Sequence, residues 1–173
     1  AEFLKEKYNL THLSTGDIFR YNIKNNTDLG QLAKTFMDKG DLVPDEVTIQ
    51  MLQSEADKNP HSAGFLFDGF PRTLAQAAAL DKFLETKDQS ITATVALEAD
   101  DEILVARLLE RGKTSGRPDD QDEEKIRNRY QEYNEKTAPL MDYYKAQDKF
   151  HAVNGIGSIE EVTKRLSKVI DNL

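Results

Sequence analysis

The 173-residue chain has no cysteine, no tryptophan and few histidines. Without cysteine, neither a disulfide nor a thiolate metal site can form. The three histidines, His12, His61 and His151, are scattered along the chain and lack the close spacing of metal ligands. The composition therefore excludes a disulfide-stabilised scaffold and gives no sign of a metal centre built on cysteine or histidine.

Long apolar runs and an excess of positive charge are also missing. No run approaches the roughly 20 apolar residues that cross a membrane, and residues 1–7 carry charge where a signal peptide has an apolar core. The net charge of −8 argues against binding nucleic acid through bulk electrostatics. We expect a cytoplasmic monomer that binds neither membranes nor nucleic acid, with one domain or one domain plus a small insert.

The chain alternates helical patterns with short β-rich runs. Runs 64–67 and 91–97 have the apolar character of buried parallel strands, and 10–13 and 150–153 are further strand candidates. This order predicts an α/β fold with a parallel sheet and right-handed crossovers. Since ligands bind at the carboxyl ends of such strands, the segments after each strand form the candidate site.

Polar residues follow the first predicted strand. Thr15 and Asp17 lie at the turn into the next helix, and Arg20 lies about one helical turn further on. A threonine hydroxyl at this turn suits either a ligand or the cap of the helix. Arg20 is placed to reach a phosphate, or else it is a surface arginine, and the residues by themselves leave both interpretations open.

The second predicted strand ends in Asp68, which Gly69, Pro71, Arg72 and Gln76 follow. An aspartate at the end of a buried strand needs a partner, and hydrated Mg²⁺ is a natural one because it prefers oxygen ligands. Gly69 allows a ligand to approach the backbone, and Pro71 stiffens the turn before Arg72. The Gln76 amide both donates and accepts, which suits the edge of a base. A turn with an exposed arginine is the alternative.

Arginines also gather in the last third of this acidic chain, at Arg107, Arg111, Arg117, Arg127 and Arg129. Arg107 and Arg111 are four residues apart and share a helix face. Phosphoryl transfer needs neutralisation of charge and in-line positioning, which arginine and Mg²⁺ provide. A solvated run of charge explains the same spacing, so both interpretations stay open.

Gly155 and Gly157 follow the last predicted strand. Two glycines permit a flat turn against a planar group, although an ordinary approach to the next helix explains them equally well.

Taken together, these motifs resemble those of the adenylate kinases, over essentially the whole chain. The specific strings are Asp68-Gly69-Phe70-Pro71-Arg72-Thr73 with Gln76, and Ser14-Thr15-Gly16-Asp17 with Arg20. The resemblance implies a P-loop nucleoside monophosphate kinase fold, with a five-stranded parallel sheet flanked by helices. It also implies transfer of the γ-phosphoryl group of MgATP to AMP, giving two ADP.

The resemblance assigns roles to individual residues. It implies that the AMP-binding residues are Thr15, Arg20, Val43, Gly69, Arg72 and Gln76. It implies that the ATP-binding residues are Arg107, Arg111, Arg117, Gly155 and Gly157. It implies that the catalytic residues are Arg72, Arg111, Arg117, Arg129, Asp68 and Asp119. Within that set, Asp68 would orient Mg²⁺ through water, and Asp119 would position a clamp arginine.

The resemblance also predicts how the chain is divided. Residues 1–26, 59–111 and 121–173 would form the core, 27–58 an AMP-binding helical arm, and 112–120 a short loop in place of a lid domain. Without that lid, no structural zinc is expected. The run from Arg117 to Arg129 is one residue longer than usual in the bacterial family, which leaves Arg127 as the alternative to Arg129.

No G-x-x-x-x-G-K-[ST] phosphate-binding loop occurs in the chain. In the family that loop and its strand come first, and residues 1–7 match the helix that follows directly. We expect roughly 15–20 further residues before Ala1, whose strand would lie in the middle of the sheet. A polypeptide that starts at Ala1 is accordingly expected to lack kinase activity.

Two other functions remain as alternatives. A sibling kinase would act on UMP, CMP or GMP, but Thr15 with Gln76 favours AMP. A non-catalytic nucleotide-binding protein would keep the fold without the loop. Asp68 and the arginines argue against it, because each is costly to retain without an anionic ligand.

Overall fold

Strands and helices alternate along the chain in the computed structural model, which describes residues 1–117 and 120–173. The strands are β1 (Thr11–Ser14), β2 (Phe65–Asp68), β3 (Thr94–Glu98) and β4 (Phe150–Asn154). The helices before β3 are α1 (Glu2–Tyr8), α2 (Thr15–Lys24), α3 (Asp28–Met37), α4 (Asp45–Asp57) and α5 (Leu74–Glu85). Those after it are α6 (Asp101–Ser115), α7 (Glu123–Glu132), a π-helical turn (Tyr133–Thr137), α8 (Leu140–Lys145) and α9 (Ile159–Ile170).

Several helices begin where a hydroxyl side chain can satisfy a free backbone N–H group. Ser14 accepts from the N–H of Asp17 at the start of α2, and Thr73 accepts from the N–H of Gln76 at the start of α5. Ser158 forms a capping box with Glu161 at α9. Because Ser14 caps α2, the alternative that Thr15 is the cap is wrong.

The four described strands form two separate parallel pairs. β1 pairs with β2, which places Ser14 beside Asp68, and β3 pairs with β4, which places Glu98 beside Asn154. The parallel pairing agrees with the predicted α/β class, but the predicted five-stranded sheet is not present in the described residues. No ladder of backbone hydrogen bonds joins β2 to β3, so the two pairs do not form one sheet.

A groove of about 1570 Å³ lies between these two pairs, and every residue of β2 and β3 lines it. Central strands of a parallel sheet are normally buried on both faces. Here the apolar residues of β2 are only partly buried, and Leu97 of β3 is 53% exposed. The groove thus leaves apolar strand surface uncovered.

Two apolar clusters hold the N-terminal half in place. The first packs β1, α4 and α5 around Leu13, Leu52 and Leu80. The second packs α2, α3 and α4 around Phe19 and Val43. Helix α4 therefore contributes to both clusters, and α3 packs with α2 and α4 in the second, with Val43 at the connection between α3 and α4. None of the described helices is both long enough and apolar enough to span a membrane.

Candidate functional site

The ends of β1 and β2 bring three predicted residues into contact. The carbonyl oxygen of Gly69 accepts from the Thr15 hydroxyl at 3.1 Å and from Arg72 Nε at 2.9 Å. Gly69 has a φ of 71°, and a Cβ there would lie 3.0 Å from Arg72 Nη2 and 3.3 Å from Thr15 Oγ1. A side chain at this position would be strained and would displace both partners.

Asp68, the last residue of β2, lies at the rim of the groove with its side chain 52% exposed. Its Oδ2 is 3.1 Å from His12 Nε2, and the other ring nitrogen of His12 lies 3.2 Å from Glu2 Oε1. Mg²⁺ commonly keeps several waters and uses only one or two carboxylates with substrate phosphates. A single half-exposed carboxylate fits that mode, and the described residues contain no cluster of three or more acidic or histidine ligands. The contact with His12 was missed, because the sequence gives no signal for it.

Three arginines from different elements converge near the end of β1. Asp17 Oδ1 lies 2.5 Å from Arg20 Nη2 and 3.6 Å from Arg117 Nη2. Burial, together with repulsion from Arg20 and Arg111, lowers the pKa of Arg117. Guanidinium groups held close enough to repel one another form a site that an anion would stabilise.

Asp120 anchors two more of the predicted arginines. Its side chain is fully buried, its Oδ2 lies 2.6 Å from Arg111 Nε, and its Oδ1 lies 2.8 Å from Arg129 Nη1. Burial by itself would raise the pKa of Asp120, but its hydrogen bonds and ion pairs with Arg111 and Arg129 outweigh burial and hold the pKa below its usual value. Asp120 was missed in favour of its neighbour Asp119, which lies outside the described residues.

Arg127 and Arg129 have different surroundings, because residues two apart on a helix point to different sides. Arg127 pairs with Glu123 on its own helix at 2.7 Å and has a 52% exposed side chain. The side chain of Arg129 is 25% exposed and forms an ion pair with Asp120. The structure thus brings Arg129, and not Arg127, together with Arg111.

The loop after β4 is held by two arginines from different helices. Arg107 of α6 donates to the carbonyl oxygens of Gly155 and Gly157, at 2.7 and 3.2 Å. Arg165 of α9 donates to the two interleaved carbonyl oxygens, those of Asn154 and Ile156. The predicted set of Arg107, Gly155 and Gly157 is therefore one contiguous unit, and Arg165 is a further member that the sequence did not indicate.

The predicted base-reading residue, Gln76, is only 2% exposed. Its Oε1 accepts from the backbone N–H of Arg72 at 2.7 Å, and its Nε2 donates to Asp45 Oδ1 at 2.8 Å. Val43 is 6% exposed and lies two residues before Asp45. The hydrogen bond between Gln76 and Asp45 joins α5 to α4 and was not predicted.

The loop between α3 and α4 is hydrogen-bonded to Asn128 of α7. Asn128 Nδ2 donates to the carbonyl of Lys39 and to Asp41 Oδ1, both at 3.0 Å. Gly40, between them, has a φ of 83°, and a Cβ there would lie 2.8 Å from the carbonyl oxygen of Lys125. This loop thereby contacts the helix that carries Arg129.

The groove collects most of the predicted phosphate-binding side chains. Its lining includes Arg20, Arg72, Arg111 and Arg129, together with Asp68 and Gly69. Arg117 reaches this group through Asp17, whereas Arg107 is held on the loop after β4. The lining thus combines four arginines with Asp68, which suits polyanionic ligands and their metal ion.

Comparison with known proteins identifies relatives along the whole chain. A family model described as adenylate kinase matches residues 1–149. An adenylate kinase of Flavobacterium psychrophilum is 84% identical over 173 residues, which cover all of this chain and 91% of the relative. With the same coverage, the adenylate kinases of Flavobacterium johnsoniae and Bacteroides fragilis are 75% and 44% identical.

Proposed function

The chain belongs to the adenylate kinase family, and we infer that it is a phosphotransferase that converts ATP and AMP into two ADP. The observation that carries this function is that arginines from α2, α6, α7 and the turn after β2 line one groove together with Asp68 at the carboxyl end of β2. Transfer of a phosphoryl group needs positioning and charge neutralisation more than covalent help from the protein. The site offers both.

AMP is assigned to the end of β2 and the helical arm. Arg20 and Arg72 would hold its phosphate, supported by the carbonyl of Gly69 that fixes Arg72 in place. Thr15, Gly69, Gln76 and the backbone near Val43 would surround the base. The contact of Thr15 with Gly69 supports this set, because it ties the end of β1 to the turn after β2.

ATP is assigned to the other side of the groove. Arg107 with Gly155 and Gly157 would border the base, supported by the direct contacts among the three. Arg111, Arg117 and Arg129 would form the phosphate clamp, which is supported by the fixation of Arg111 and Arg129 on buried Asp120. The positioning role of Asp119 stays a prediction. Asp120 would position the clamp arginines Arg111 and Arg129.

Adenylate kinases generally use Mg²⁺ with ATP, and we place that ion near Asp68. The half-exposed carboxylate would hold it through water, in keeping with the preference of Mg²⁺ for a partly retained hydration shell. When bound to the phosphates, the ion neutralises charge that develops during transfer. His12 would fix the orientation of the carboxylate.

We divide the chain into a core, an arm and a short loop, in keeping with how the helices pack. Residues 27–58 would act as an arm that closes over AMP, supported by the apolar cluster in which α3 packs with α4. The core would comprise 1–26, 59–111 and 121–173, with 112–120 as the short loop over ATP. Closure of both would exclude water and prevent wasteful hydrolysis of ATP. We also propose that the protein is a cytoplasmic monomer.

The groove between β2 and β3 supports a sheet of five strands. One further parallel strand between β2 and β3 would pair with their free edges and cover the apolar surface. In the family, that strand leads into the loop whose N–H groups bind the phosphates. A polypeptide limited to these 173 residues should therefore form no ADP from ATP and AMP. ADP formation by that polypeptide would refute this part of the proposal.

The function is tested with the full-length natural protein, including any residues that flank this chain. ADP formation is measured with AMP, UMP, CMP and GMP as acceptors, and AMP should be used by far the best. Preference for another acceptor would favour a sibling kinase, and nucleotide binding without ADP formation would favour a non-catalytic protein.

Two variants show whether the site is placed correctly. Arg72→Ala should lower kcat/KM for AMP by about 100-fold or more, because a group that binds the transferring charge is lost. Arg127→Ala, which removes an exposed arginine paired on its own helix, should have little effect. Circular dichroism checks that both variants keep the fold, and equal losses in the two would contradict the assignment.

A further inference from the structure

The carboxylate of Asp45, the first residue of α4, joins the arm to the start of α5. Its Oδ2 accepts from the Thr73 hydroxyl at 2.9 Å, and its Oδ1 accepts from Gln76 Nε2 at 2.8 Å. Each oxygen thus has its own partner, and both partners lie in the segment that follows Arg72.

These contacts fix which way the Gln76 amide faces. Its oxygen accepts from the backbone N–H of Arg72, which can only donate, and its nitrogen donates to Asp45, which can only accept. A flipped amide would set two donors against each other and two acceptors against each other. With only 2% of the residue exposed, water compensates such mismatches poorly. One orientation is therefore selected from two that have the same shape.

The selected orientation leaves one amide hydrogen and one oxygen lone pair for a ligand. The edge of adenine offers an acceptor at N1 and a donor at its 6-amino group, which match that pair. Hypoxanthine and guanine offer the opposite, a donor at N1 and an acceptor at O6. A 6-oxopurine placed in the same way would need the flipped amide.

We propose that Asp45 is a specificity-determining positioning residue, which orients the Gln76 amide so that a 6-aminopurine monophosphate is accepted and a 6-oxopurine monophosphate is rejected. This inference rests on the proposed function and names what selects its acceptor. Asp45 acts through Gln76 and does not touch the base.

The test is Asp45→Asn in the full-length natural protein, with AMP and IMP as acceptors. Asparagine has the same shape and can donate or accept, so it still bonds Thr73 and removes one of the two mismatches of the flipped amide, the one with residue 45. The mismatch with the backbone N–H of Arg72 stays. The ratio of kcat/KM for AMP to that for IMP should fall about tenfold, mainly through a gain with IMP. Asp45→Glu keeps an acceptor-only side chain and should retain a ratio closer to that of the wild type.

Glu46→Gln is the matched control. It removes the same charge from the same helical turn at an exposed position and should leave the ratio unchanged. An unchanged ratio in Asp45→Asn, or an equal loss with both acceptors, would overturn the inference, since a purely structural role affects AMP and IMP alike. A wild-type protein that does not phosphorylate AMP would overturn the proposed function and this inference together.

Discussion

Replacing Asp120 by asparagine measures how much the charge of one buried carboxylate contributes to the free energy of unfolding. In the wild type, each of its oxygens receives a guanidinium N–H group, from Arg111 at 2.6 Å and from Arg129 at 2.8 Å. Asparagine preserves the shape and one acceptor, but it turns an N–H group toward the second arginine. One guanidinium therefore loses its bond to residue 120 and faces another donor.

The size of the effect follows from burial. Removing one partner of a buried ion pair commonly costs about 3–5 kcal/mol. Asp120 is fully buried, but the side chains of Arg111 and Arg129 are 40% and 25% exposed, so water partly compensates them. We expect a loss of about 2–3 kcal/mol in the free energy of unfolding at pH 7. In a chain of this size, that corresponds to a decrease in Tm of roughly 5–10 °C.

The pH dependence gives a second, independent measurement. Because the folded state lowers the pKa of Asp120, its stabilising contribution is fully present above the unfolded pKa of about 3.9 and is lost as the pH falls through the folded value. The stability difference between wild type and variant should stay constant from about pH 7 to 5 and shrink below about pH 4. Urea unfolding followed by circular dichroism at several pH values measures it.

Asp122→Asn serves as the control, because Asp122 is exposed and caps α7, a role in which asparagine is equally good. It should change stability by less than about 0.5 kcal/mol. A difference for Asp120→Asn that is as small as this at pH 7, or that persists undiminished well below pH 4, would refute the reasoning.

Two further substitutions probe the loops on either side of the groove. Gly40→Ala should weaken AMP binding several-fold, measured by calorimetry, because its Cβ would lie 2.8 Å from the Lys125 carbonyl and push this loop away from α7. The φ of 83° also strains alanine, so Tm should fall as well; unchanged affinity would contradict the role of that contact. Arg165→Ala should raise KM for ATP but not for AMP, measured by steady-state kinetics, because the carbonyls of Asn154 and Ile156 lose their donor; an equal change in both KM values would indicate a general loss of structure.

The sequence predicts the strand ends well because their chemistry is local. The turn after β2 combines an aspartate, a glycine with positive φ and an arginine that contacts its carbonyl, and the sequence singles out all three by residue type. Their functional roles stay predictions. The parallel order of the strands also follows from the alternation of helix and strand.

Choices between near neighbours are not visible in the sequence. Asp119 and Asp120 are chemically identical, and only the packing of α6 against α7 determines that Asp120 is buried between two arginines. The buried partner of Gln76 is equally hidden, because Asp45 lies 31 residues away and looks like an ordinary acidic residue in the first turn of a helix. The number of strands in a sheet is likewise a property of all the segments that pair, which no single segment contains.

Under the proposed assignment, the contact of Asn128 with the loop between α3 and α4 would link binding at the two nucleotide positions. The same helix carries Arg129 toward the groove, so any ligand that shifts one end of this contact changes the free energy of the other. Such coupling is reciprocal by necessity. The factor by which one nucleotide changes the affinity for the second equals the factor by which the second changes the affinity for the first.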